Sequence, residues 1–114
     1  MLKMRMDILE QGGVISKRIA DYMRGIIDIM GKKFPDIVSE KAVMFTTHMA
    51  MALERISNGQ IVEPMEDYMW EEVKASPNFT KAEEFYCFIK HNIPVSIPES
   101  ELQFLLLHIC NIFQ

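Results

Sequence analysis

Cysteine is scarce in this chain: two in 114 residues, Cys87 and Cys110, in unrelated contexts. That is too few for a disulfide scaffold or a zinc site of four thiolates. A domain of this length buries roughly two-thirds of its unfolded surface and needs neither to fold. Long apolar runs are missing too. The longest charge-free stretch, Leu102 to Gln114, falls short of the ~20 apolar residues that span a bilayer. The N-terminus, MLKMRMDILEQGG, has neither an apolar core of signal-peptide length nor a small-residue cleavage site. A reduced, cytoplasmic protein is expected. There is no CxxC, HExxH, Gly-rich phosphate loop or GxSxG, so the common metal, nucleotide and hydrolase signatures are absent. No acid, base and nucleophile can be assembled into a catalytic set, and an enzyme with its own substrate is not expected.

What remains has the balance of an ordinary globular domain, 49% hydrophobic and 25% charged, which excludes a disordered tail or a collagen-like fibre. The net charge is −4, unevenly spread: residues 1–33 carry seven basic and four acidic side chains, residues 34–114 five and twelve. The basic end could meet phosphates or an acidic partner through Lys3, Arg5, Lys17, Arg18 and Arg24. A solvated helix face is the plainer reading.

Apolar residues recur at three and four positions through almost the whole chain, which predicts helices and no strand. One helix covers Val14 to Met30, with Gly31 as its stop and Pro35 barring continuation. Gly12-Gly13 breaks the chain before it, leaving Met4 to Gln11 as a lead-in turn or irregular arm. A second helix is capped by Ser39 and runs to about Ser57, closed by Asn58-Gly59. A third spans Met65 to Ala75, and a fourth Phe79 to Asn92. A fifth runs to the C-terminus from Ser96 and Glu99, which have capping-box spacing, with Pro98 in its first turn. Short connections pack successive helices together, so the expected architecture is an all-α, five-helix bundle over residues 14–114 behind a lead-in segment of residues 1–13. Ten methionines read as adaptable core filler or as a pliable partner surface.

Two histidines carry charged companions. His48 and Arg55 are seven apart, about 20° short of two full helical turns, so they share a face. Ala52 lies between them and predicts open space over the imidazole. An arginine so placed could hold an anion carried on the histidine. On the last helix Glu101 stands seven before His108, with apolar Phe104, Leu105, Leu106 and Leu107 between. For each histidine, a buried ring satisfied by a neighbour is the alternative. Cys87 and His91, four apart, supply two ligands where a structural zinc needs four.

The run Phe45, His48, Ala52, Arg55, Ile56, Gly59, followed by Ile61 and Pro64, Ala82, and then Ile97, Pro98, Glu101, Phe104, Leu105, His108, Ile109, resembles the PTS regulation domain (PRD) of bacterial regulators controlled by the sugar phosphotransferase system. The likeness covers about residues 14–114. It implies a five-helix bundle that forms homodimers. It also implies two regulatory histidines, His48 and His108, that reversibly accept phosphoryl groups from the phosphocarrier HPr or from enzyme II components. Arg55 matches the family arginine, as phosphate or interface partner, and Glu101 the acidic residue ahead of the second histidine. Relatives usually carry two such domains behind a nucleic-acid-binding module. Here one domain follows too short a leader, so a stand-alone regulator acting through another protein is expected, without direct nucleic-acid binding and without a cofactor. Glu63 also replaces the asparagine many relatives have before the proline. A phosphorylation-independent interaction module, using Tyr68, Trp70 and Glu71 or the methionine-rich surface, is the competing expectation.

Overall fold

The computed structural model describes residues 1–35, 37, 40–93 and 95–114. Six α-helices follow one another, with no strand among the described residues: α1 (Leu2–Gln11), α2 (Lys17–Lys33), α3 (Glu40–Ser57), α4 (Asp67–Lys74), α5 (Phe79–Lys90) and α6 (Glu99–Ile112). The count of five expected from the sequence is therefore corrected to six, because the lead-in segment is itself helical. Its inner face carries Met6, fully buried, with Leu2 and Leu9 against the core. Arg24 of α2 holds it from outside by pairing with Asp7 and Glu10, both at 2.7 Å, and with Asp21 at 2.8 Å. The three carboxylates raise the guanidinium's pKa further above its usual value, Glu10 contributing most.

The glycines at the ends of α1 and α3 have a definite task. Gly13 and Gly59 adopt φ of +74° and +72°, the left-handed region that penalises side chains. In each case the amide of the glycine and that of the next residue fold back on the last turn: Gly13 to Glu10 O and Val14 to Leu9 O, Gly59 to Ile56 O and Gln60 to Arg55 O. That is the Schellman arrangement. Asn58-Gly59 thus closes α3 as expected. Gly31 does not stop α2, which continues through Lys33; without a left-handed φ there, the helix runs on until Phe34-Pro35. It starts at Ser16, whose hydroxyl accepts from the Ile19 amide at 3.3 Å, while the Glu54 carboxylate takes the Ser16 N–H at 2.8 Å. The capping box expected at Ser96 and Glu99 is not formed. Pro98 occupies the N-cap of α6 with no side-chain bond, and its carbonyl receives Leu102 at 2.9 Å. Ser39, the expected cap of α3, lies outside the described residues.

Helix α3 is the central rod, packed on α1, α2 and, most extensively, α6. Aromatic rings fill one end. Phe85 meets Phe34, Phe45 and Phe113 with centroids 5.0, 5.7 and 5.9 Å apart, mostly edge-on, the favoured geometry for aromatic pairs. On α3 the Thr46 hydroxyl is buried and bonds back to the carbonyls of Ala42 and Val43 at 3.0 and 3.1 Å. On α6 the buried Gln103 side chain accepts the Met65 amide at 2.9 Å, fastening the loop before α4. The radius of gyration, 13.5 Å, is close to the ~13 Å of a close-packed domain this size.

Candidate functional site

The seam between α3 and α6 brings together all four residues singled out on the two helices. His48 and His108 stack face to face, centroids 4.0 Å apart and planes 19° from parallel. Arg55 and Glu101 meet in a two-pronged pair, Nε to Oε2 at 3.0 Å and Nη2 to Oε1 at 2.9 Å. The two contacts fix each other's register. A step of seven toward the C-terminus on α3 answers a step of seven toward the N-terminus on α6, as antiparallel helices require. Ala52, between the two contacts on α3, is buried. The open volume expected over the His48 imidazole is instead taken by the His108 ring.

The four side chains differ sharply in environment. His48 is exposed, flanked on α3 by the exposed Met44 and Met51. His108 is half-buried, and burial, with the facing His48 ring, pushes its pKa down to about 4. It is therefore neutral near pH 7, with one ring nitrogen holding a free lone pair. Glu101 is only 3% exposed. Its carboxylate raises the pKa of the Arg55 guanidinium further above the usual value, and a fork-to-fork pair of this kind is among the stronger charged contacts available. Arg55 is thus engaged by Glu101 in this conformation.

Sequence reasoning missed the far side of His108. There the ring joins Lys41, Met44, Asn111 and Gln114 around a cavity of about 300 Å³. The signal was present: Lys41 stands seven before His48 and Asn111 three after His108, so both continue the seam by one helical step. Cys87 and His91 lie on the exposed end of α5, away from these contacts. Among the described residues no three metal-ligating side chains gather, and no helix is long and apolar enough to cross a membrane.

This seam is built from the runs that carried the resemblance to a regulatory family. A match to the PRD domain spans residues 24–112, from within α2 to the end of α6. The chain belongs to the PRD domain family. It is also similar to the uncharacterized protein YhfY of Escherichia coli (strain K12), 24% identical over 109 residues that cover 95% of this chain and 91% of that protein. No solved structure matches it. The PRD match begins at Arg24, the residue that clamps α1, so α1 lies outside the family segment.

Proposed function

We propose that this PRD domain is a regulatory element of the sugar phosphotransferase system. In this reading His48 and His108 reversibly accept phosphoryl groups from HPr or an enzyme II component in the cytoplasm. The domain is a switch and not an enzyme, and it works as a homodimer that modulates transcription or a partner protein. The observation that carries the reading is the pair of stacked imidazoles, one open to solvent, on the α3–α6 seam. A neutral imidazole is a competent nucleophile toward a phosphorylated donor. Its product adds ~1.5–2 negative charges where two helices meet. At a two-fold interface that charge appears twice, and about 1.4 kcal/mol of differential effect shifts a two-state equilibrium tenfold. The Arg55–Glu101 pair contributes by holding the register on which the stacked rings depend.

The test is transfer from phosphorylated HPr and enzyme II components, read by intact-mass spectrometry in alkaline buffer and by sedimentation. The wild type gains a labile phosphoryl adduct and changes its degree of association. Loss of neither histidine's adduct on mutation, or no adduct with any donor, contradicts the reading.

One observation favours a second reading. Met1, Met4, Ile8 and Met44 are all exposed and line a shared groove of about 460 Å³ between α1 and α3. A pliable apolar surface of this kind suits a phosphorylation-independent interaction module. Under that reading His48→Ala with His108→Ala leaves partner binding intact.

A further inference from the structure

His108 faces a ligand-sized space that the proposed switch has not yet used. Its ring lines the cavity of about 300 Å³ with Lys41, Met44, Asn111 and Gln114. Lys41 offers three N–H donors and a full charge, and the two amides offer two N–H donors each. Among the described residues lining the cavity, none carries a carboxylate side chain. The Lys41 ammonium meets a main-chain oxygen of Gln114, the last residue of the sequence, at 3.5 Å, the outer limit of a hydrogen bond and a contact that a dianionic phosphoryl group displaces. The seam's other cation, Arg55, is spent on the buried Glu101 carboxylate. Lys41 also sits in the first turn of α3, where the helix dipole disfavours a cation and favours an anion. Local helix stability therefore does not account for a lysine at that point.

We infer that this cavity is an anion site, in which Lys41, with the amides of Asn111 and Gln114, holds the phosphoryl group carried on His108. The inference rests on the reading of the histidines as phosphoryl acceptors and deepens it, because it names the charge that receives the group. On transfer, the lone pair of the neutral His108 ring forms the new nitrogen–phosphorus bond. The bond from phosphorus to the donor atom breaks, and its electron pair leaves with the donor together with the proton released from the imidazole. The dianionic product then exchanges solvent for one ammonium and two amides at the mouth of the seam. His48, exposed, has no comparable cradle in the lining of this cavity, so Lys41 distinguishes the two histidines.

Phosphoramidate tests this without any donor protein, since it phosphorylates neutral imidazoles directly and releases ammonia. The full chain, Lys41→Met and Lys41→Arg are treated alike. Occupancy at His48 and His108 is then read by peptide mass spectrometry in alkaline buffer, with circular dichroism confirming the fold. The expected result is a fall of about tenfold in His108 occupancy in Lys41→Met, the effect of losing one charge-assisted contact, with His48 unchanged and Lys41→Arg restoring most of the signal. Equal occupancy of His108 in all three proteins overturns the assignment. So does a parallel fall at both histidines, or no modification of His108 in the wild type. If phosphorylated HPr and enzyme II components fail to transfer while the Lys41 effect persists with phosphoramidate, the anion site stands and the phosphotransferase reading falls.

Discussion

The imidazole of His108 loses much of its basicity to its surroundings, with a pKa pushed down to about 4 by burial and by the facing His48 ring. An unfolded histidine titrates near ~6.5, so the unfolded chain takes up this proton first as the pH drops. The contribution to stability is complete above about pH 6.5 and is lost as pH falls toward 4. The expected excess loss for wild type over His108→Gln between these values is about 1–2 kcal/mol after allowance for solvent screening. Urea unfolding across the pH range measures it, and superimposable profiles for the two proteins contradict it. Arg55 answers a different question. Arg55→Met leaves the buried Glu101 carboxylate without its cation and costs about 2–3 kcal/mol. Arg55→Met combined with Glu101→Leu recovers more than half, because the burden is the orphaned charge and not the missing pair. A double variant as unstable as Arg55→Met alone refutes that explanation.

At the scale of elements, α1 is the informative surprise. The Gly12-Gly13 break sets the segment apart and reads as leaving an arm, although Leu2, Met6 and Leu9 recur at four and three positions and form its inner stripe. Its helix is fixed by tertiary contacts: Met6 in the core and Arg24 across Asp7 and Glu10. Met6→Ala is expected to cost about 2–4 kcal/mol, the usual range for emptying a buried methionine site. The loss should appear first as faster amide exchange in α1 and the first half of α2. A loosely attached arm would leave stability unchanged. The other boundary differences have equally local causes. Glycine often ends helices, yet Gly31, without a left-handed turn, is only a weak helical residue. Ser96 has capping-box spacing to Glu99, but the helix begins with Pro98 at its N-cap, a residue with neither a side-chain acceptor nor an N–H for such a box. By contrast α3, α5 and most of α6 were legible because their buried residues recur at three and four positions.

For the whole molecule, the sequence placed His48 with Arg55 and His108 with Glu101, each pair along one helix. It could not place the helices against each other. The antiparallel packing of α3 on α6 exchanges the partners, so histidine meets histidine and arginine meets glutamate. Spacing of seven is a property of one helix, whereas the pairing across the seam depends on the fold of the entire chain. The account's central claim is that this seam is an acceptor open to a phosphate-donating protein. Phosphorus NMR of the protein, separated from the donor after incubation with phosphorylated HPr or enzyme II components, tests it most directly, in wild type and in the His48→Ala, His108→Ala and double variants. The account predicts a phosphorus–nitrogen resonance in the wild type, its partial loss in each single variant and its absence from the double one. A silent wild type with every donor, or a resonance that survives in the double variant, contradicts it.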